Sequence, residues 1–399
     1  MKAIKFNNAR IIALLSLTGL AVVTQLYLSI PLFATISRLF NVSVASASWL
    51  GSAFGFAYAS GFLLFGPMSD RYGRRTVMVT ALPVLILATF AIGLSPSFEV
   101  LIVLRVLQGL AAAPIPIAAL AYLGEVLPVP RRATGIAFMT MGFLLAGILG
   151  QIYADAINRM FGWQWVFWSL AAFYILLLIL IRQIPKVALP NKSKTNILSV
   201  YANMVRLLSN PEIVAAYIAT LPLLLTFVTM YIGLSRSLQM TYGSSNEHLL
   251  LVRLAGIPGM LLSPLVGRLV TRFGSKRVVI GGLVVAALGL SLELVTNQLS
   301  LIIIASGIFV MGIAAAVPSL INLISSIAGT ARGSAVSLYS FILFIGASLG
   351  PLVAAQLQPL GFTGLCSVLI FSLVLAMIVI AVGVRTALQK TTAQETPKM

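Results

Sequence analysis

Acidic residues are nearly missing from this 399-residue chain: Asp and Glu together number eight, beside one histidine and one cysteine. The lone Cys366 excludes an intrachain disulfide and a metal centre built from several thiolates. With His248 the only histidine, the run "GASLG" around Ser348 has neither the preceding strand nor the partner base that a G-x-S-x-G hydrolase needs. No phosphate-binding glycine loop of the P-loop type occurs, which argues against nucleotide-driven work. Charged residues are 9% of the chain, against roughly 25% in soluble domains. Such a sequence cannot clothe a large water-exposed surface. Its net charge of +18 would suit nucleic acid, but the bases lie in short clusters between apolar runs. No arginine-rich tail or aromatic stacking platform accompanies them, so nucleic acid is not an expected partner.

What the chain has instead is apolar length: 60% of its residues are hydrophobic, with mean hydropathy +1.06. About 20 apolar residues span a bilayer as a helix, and lipid forces each span to satisfy its own backbone. The pattern predicts an all-α membrane protein with spans at 9–36, 46–67, 76–96, 98–123, 133–158 and 161–183, then 212–237, 249–268, 278–297, 299–323, 333–358 and 362–386. The start, "MKAIKFNNAR" then "IIALLSLTGLAVV", mimics a signal peptide, but the apolar run continues through "YLSIPLF" and reads as an uncleaved first helix. The expected organisation is a six-helix bundle over 1–183, a cytoplasmic linker over 184–211 with one amphipathic turn, and a second bundle with a short tail over 212–399. Of the 26 Lys and Arg, all but Arg38, Arg105, Arg159, Arg236 and Arg253 fall in the termini, the linker and alternate loops on one side. Both termini are therefore expected in the cytoplasm.

The two halves echo one another. "GPMSDRYGRR" (66–75) returns as "GRLVTRFGSKR", with Gly66, Arg71 and Gly73 matching Gly267, Arg272 and Gly274 at an offset of 201. "GLAAAP" at 109–114 returns as "GIAAAV" at 312–317, and Gly150 answers to Gly350. Such symmetry marks transporters that bind substrate between repeats near the midplane. In the first loop, glycine is needed where the chain reverses, which suits Gly66 and Gly73. Arg71, Arg74 and Arg75 hold the turn in the cytoplasm, and Asp70 is free to cap a helix or pair with Arg131 or Arg132.

On these motifs the chain resembles the major facilitator superfamily over nearly its whole length. Gly66, Asp70, Arg71, Gly73, Arg74 and Arg75 stand where the signature between the second and third helices of that family wants them. "LIVLRVLQG" resembles the fourth-helix motif of the drug:proton antiporter branch through Leu101, Arg105, Gln108 and Gly109. The resemblance implies twelve helices in two pseudo-symmetric bundles, a conformational latch at 66–75 and a role for Arg105 in proton exchange. "GASLGPLVAA" carries Gly346, Gly350 and Pro351 and resembles the glycine–proline motif that the branch bears on its fifth helix. The fifth helix here keeps the small residues Gly142, Ala146, Gly150 and Ala154, but has Gln151 for the proline and Asp155 for the last glycine.

The residues themselves add pathway candidates. A buried arginine normally faces a bundle interior or an aqueous cavity, which brings in Arg105 and Gln108 on one helix face; snorkelling to the interface is the alternative. Gln25 and Tyr27 are the polar groups of the first helix, which carries no acid. Asp155, one or two turns below the aromatic run "FGWQWVFW", is a candidate proton carrier or a helix-end partner of Arg159. Arg236 and Arg253 are read as interfacial anchors, or as a ring with Arg105 that favours neutral or anionic substrates. Glu293 reads as structural. The expected function is a secondary transporter of the bacterial inner membrane that exports small amphipathic molecules with proton coupling. The expectation includes no cofactor or metal, no enzymatic activity and a monomer. Uptake of a small metabolite is the alternative, and a non-transporting sensor of the same fold a more distant one.

Overall fold

The computed structural model describes residues 7–186, 197–242, 246–261, 263–296 and 298–384, and these are helical with no strand among them. The helices of the first half are α1 Asn8–Tyr27, α2 Phe33–Leu39, α3 Val44–Ala47, α4 Trp49–Tyr72, α5 Arg74–Ile92, α6 Phe98–Ala112, α7 Pro114–Val126, α8 Val129–Phe161 and α9 Trp163–Ile181. Then follow α10 Ile197–Leu207, α11 Pro211–Tyr242, α12 Asn246–Leu261, α13 Ser263–Phe273, α14 Ser275–Val295, α15 Leu299–Ala328, α16 Arg332–Leu357 and α17 Gly361–Gly383.

Ten stretches of the described residues are long and apolar enough to cross a bilayer, and α12 with α13, bent by 52°, supplies one more. One of the ten, Arg332–Gly383, has 52 residues, far beyond the ~20 that one crossing takes. It breaks at Gln358–Leu360 and Gly361 (φ 67°) into α16 and α17. Split there, the described residues hold twelve candidate crossings, at the places the hydropathy predicts.

Proline and glycine account for the interruptions. The first span is broken by a 3-10 turn at Ile30–Leu32, where Pro31 cannot donate a backbone hydrogen bond. The fourth is divided between α6 and α7 ahead of Pro114. The two echoing turns are alike: Gly73 has φ 88° and Gly274 φ 84°, a left-handed conformation that costs glycine nothing. Between 184 and 211 the expected single turn is a helix of 11 residues, α10, tied to the bundle by Tyr201 Oη donating to the Leu63 carbonyl at 3.3 Å.

In the first bundle α1 packs on α8, α4 on α6 and α5 on α9; in the second α11 packs on α16 and α17, and α15 on α12 and α14. The bundles meet along α4–α16 and along α8 with α12 and α13. Small residues permit the close approaches within each bundle. A Cβ on Gly142 would fall 2.9 Å from the Ser16 carbonyl of α1, and one on Gly150 3.0 Å from Thr24 Cγ2. In the second bundle Gly346 meets the Leu221 carbonyl of α11 and Gly350 meets Val228. Helix pair α1–α8 and helix pair α11–α16 are therefore built alike, as the sequence echo of Gly150 and Gly350 requires.

Candidate functional site

The seam between bundles is an aromatic and small-residue zipper. Along α4 and α16, Phe344 stacks on Phe62 (centroids 5.2 Å, 18°) and meets Tyr58 edge-on (4.9 Å, 85°). Nearer one end Gly51 lies against Ser29 and Pro351; nearer the other Gly66 faces Ser337. On the other side of the molecule Gly147 of α8 abuts Phe227 of α11, Gly256 of α12 abuts Ile148, and Tyr27 meets Phe227 edge-on at 6.0 Å. Between these contacts remains a cavity of about 10 Å³, room for about one water. Tyr27 and Leu144 from the first bundle line it, with Leu224, Phe227, Met260, Val310, Ile313 and Ala314 from the second. The structure is closed around an apolar centre.

Beside the seam, inside the first bundle, Arg105 of α6 is fully buried. Its Nε donates to the Leu50 carbonyl (2.8 Å), its Nη2 to the Gln25 carbonyl (2.8 Å), and its Nη1 to Gln108 Oε1 (2.6 Å) and Gln25 Oε1 (3.4 Å). Gln108 Nε2 in turn donates to Thr89 Oγ1 at 2.8 Å, and Thr89 to the Leu85 carbonyl at 2.6 Å. The guanidinium also covers Phe54 at 4.5 Å, and Phe54 stacks on Tyr58 of the seam at 5.5 Å. Arg105 thus does not snorkel. It ties α1, α4 and α6 together through neutral oxygens, and among the described residues it makes no ion pair with a carboxylate. Gln25 belongs to this core whereas Tyr27, two residues on, faces the central cavity. Gly109 lets the two helices touch: its Cβ would fall 2.4 Å from the Phe54 carbonyl of α4.

The remaining candidates are placed as follows. Asp155 accepts from Arg159 Nη2 at 3.1 Å, the helix-end pairing. Gln151 is buried, donates to the Gly147 carbonyl at 2.6 Å and leaves its Oε1 without a partner. Arg236 is exposed, but Arg253 is 5% exposed and is no interfacial anchor. With Arg105 enclosed in its own bundle, the three arginines form no ring. Ser348 donates to the Phe344 carbonyl at 2.6 Å and packs against Gly55, an interface residue and not a nucleophile. Glu293 is 3% exposed with both carboxylate oxygens unpartnered, deeper than its place near the end of α14 suggested.

At the Gly73 turn, Arg74 Nε pairs with Glu125 of α7 at 3.0 Å and its Nη1 donates to Ser69 Oγ at 3.1 Å. Arg75 donates to the Arg182 carbonyl at the end of α9, and Arg71 lies over the Tyr72 ring at 5.6 Å. Arg132 Nε donates to the Leu127 carbonyl at 2.9 Å. The Asp70 side chain lies outside the described residues. Glu125 is a partner that the sequence reading missed; a lone acid at the basic end of the fourth span was its only signal. A groove of about 710 Å³ between α4, α5 and the α6–α7 span is lined by Val84, Leu87 and Leu107, which point away from the seam, and so belongs to the outer apolar face.

Two six-helix bundles that close on a central apolar cavity, with a glycine-arginine turn repeated in each half, define a polytopic membrane transporter. The family model of the Major Facilitator Superfamily matches residues 15–351 and 242–398, and the chain belongs to that family. It is similar to the MFS-type transporter YceJ of Bacillus subtilis (strain 168), itself uncharacterized, at 26% identity over 84% of this chain and 85% of the relative. The likewise uncharacterized MFS-type transporter YybF of the same bacterium is 24% identical over 81% and 80%. The multidrug export protein EmrB of Haemophilus influenzae is 27% identical over 33% of this chain and 26% of its own length.

Proposed function

We propose that this transporter exports small amphipathic molecules across the bacterial inner membrane by alternating access, in exchange for protons. The observation that carries the reading is the central cavity, ringed by apolar side chains of both bundles with Tyr27 beside Phe227. At about 10 Å³ it holds no substrate when closed, so the bundles must part along α4–α16 or α8–α12 to load and release. An apolar chamber suits a mostly apolar solute, as pockets for such ligands generally do. The partial likeness to a multidrug exporter supports the outward direction. In this reading residues 1–183 and 212–399 are the moving bundles, 184–211 connects them, and a single chain suffices. The basic turns and both termini lie in the cytoplasm, because the bases gather on that side.

Arg105, Gln25 and Gln108 then form the fixed polar core of the first bundle. A change there reaches the seam through Phe54 and Tyr58. Everted vesicles loaded with a pH-sensitive dye provide the test, with a panel of amphipathic compounds added one at a time. Export by exchange alkalinises the acid lumen when a substrate is added. Lumen acidification on addition, or accumulation in right-side-out vesicles, would make the protein an importer.

A further inference from the structure

The second bundle holds a buried polar cluster that the site above does not use. On α14 the buried positions are Val279, Gly282, Leu283, Ala286, Gly289, Leu290 and Glu293, a single helical stripe facing the bundle core. The stripe lies close against α15: a Cβ on Gly289, one turn below Glu293, would fall 2.4 Å from the Phe309 nitrogen and 2.8 Å from the Ala305 carbonyl. Glu293 thus enters the core on the side of α15, on which Ser306 is also fully buried. Tyr231 of α11 is 1% exposed and Arg253 of α12 5%. Glu293 Oε1 and Oε2, Ser306 Oγ, Tyr231 Oη and Arg253 Nε all lack a hydrogen-bond partner among the described residues. Tyr231 and Ser306 lie close enough to interact with one another, which leaves Glu293 as the side chain with every polar atom unpartnered, where most buried polar groups would be paired.

The charges around this cluster explain how it is linked to the seam. Tyr231 lies beside Ser306 and within electrostatic range of both Glu293 and Arg253, and Cys366 of α17 lies within range of Glu293. Arg253 feels Asp155 and Arg159 of α8, across the bundle interface. The basic side chains of α13, Arg268 and Arg272, are exposed. A carboxylate at Glu293 that accepts no hydrogen bond and makes no ion pair among the described residues is unfavourable in so apolar a place, whereas a neutral carboxylic acid is tolerated. Parting of the bundles would take Arg253 away from both Asp155 and Arg159 and expose the α12 side of the cluster.

We propose that Glu293 binds the coupling proton, taken up as the bundles close and given back when they part. The step is simple protonation of a carboxylate and needs no other reactant. It deepens the proton-coupled reading and rests on it only for the use made of the proton. Of the described acids it has no rival in a bundle core, since Asp155 pairs with Arg159 and Glu125 with Arg74.

The test needs no substrate. In a Cys366→Ala background, a cysteine replacing Leu144 reports opening of the central cavity through its reaction with a membrane-impermeant maleimide. Its labelling, taken relative to the same cysteine in the denatured protein at each pH to remove the thiol's own titration, should fall as pH is lowered, because protonation favours closure. Glu293→Gln, a fixed neutral mimic, should label slowly at every pH, and Glu293→Asp should restore a pH dependence with a displaced midpoint. In parallel, dicyclohexylcarbodiimide, which adds to protonated buried carboxyls, should modify the Glu293 peptide of the closed protein at neutral pH. A Glu293→Gln protein with the unaltered pH profile, or a Glu293 peptide left unmodified, overturns the proposal. If vesicles show no proton-linked flux while these two results hold, the coupling reading fails and the Glu293 proton site stands.

Discussion

Gly55 of α4 faces Ser348 of α16 with no space for a methyl group between them: a Cβ on Gly55 would fall 2.1 Å from Ser348 Oγ and 2.9 Å from its Cβ. This contact lies midway along the seam, where the bundles must separate in any alternating-access cycle. Gly55→Ala should therefore act as a wedge. Overpacking of this kind typically costs about 1–3 kcal/mol, enough to move a balanced equilibrium about 5- to 150-fold toward the parted state. Ser348→Gly removes the opposing atoms and should restore closure in the double variant. The check is maleimide labelling of a cavity cysteine in the single and double variants. Equal labelling of Gly55→Ala and the unaltered protein would remove the α4–α16 seam as a gate.

Arg105 should matter in two separable ways. Arg105→Ala leaves the Leu50 and Gln25 carbonyls and two amide oxygens without their common donor, at about 1–3 kcal/mol for each buried acceptor left unpaired. The melting temperature of the purified protein should drop, and transport should be lost. Arg105→Lys keeps the charge but lacks the planar fork that reaches three helices at once. It should recover part of the stability and less of the transport. An Arg105→Ala protein that melts and transports as the unaltered chain does would make the network dispensable.

Much of this was legible in the sequence, and for physical reasons. Spans show because lipid demands long apolar runs, and the repeated turn shows because Gly73 and Gly274 both need positive φ. Arg105 and Gln108 could be paired from spacing, since residues three apart share a helix face. The other partners, Leu50 and Gln25, stand 55 and 80 residues away, and no local pattern joins them. The depth of Glu293 was hidden for a different reason. It stands two residues from the end of α14, but burial is decided by neighbouring helices, here α15 and α17. The stripe from Val279 through Ala286 to Glu293 was the signal that would have found it.

Two glycines of α8, one turn apart, should behave differently. Gly150 packs on Thr24 of α1 within the first bundle, whereas Gly147 faces Phe227 across the interface, its Cβ falling 2.9 Å from the ring. Gly150→Leu should lower the melting temperature by forcing apart helices of one bundle. Gly147→Leu should leave melting nearly as it was and hold the cavity open. Melting curves and cavity-cysteine labelling of both variants separate the two effects; the same phenotype from both would mean that α8 has no distinct interface side.

The two echoing turns differ in one chemically important position, Asp70 in the first half against Thr271 in the second. Thr271 is exposed, and its hydroxyl donates to the Arg268 carbonyl at 2.9 Å, one turn back on its own helix. Among the described residues it makes no hydrogen bond outside α13, so Thr271→Ala should be mild. The first turn is wired more widely: Arg74 reaches Glu125 of α7, and Arg75 reaches the end of α9. The exposed Arg74–Glu125 pair alone is worth little, about 0–1 kcal/mol. A carboxylate at Asp70 that holds the bundles in one state adds a charge-assisted bond of roughly 1.5–3 kcal/mol, or more than tenfold in population. If the turn were only a topological signal, an acid would contribute little to it. Asp70→Asn should therefore leave insertion and abundance near normal while cutting transport severely, and raise labelling of cysteines on the basic side of the cavity. Glu125→Gln should fall between Asp70→Asn and Thr271→Ala. Small and equal effects from all three substitutions would reduce the turn to a cluster of bases.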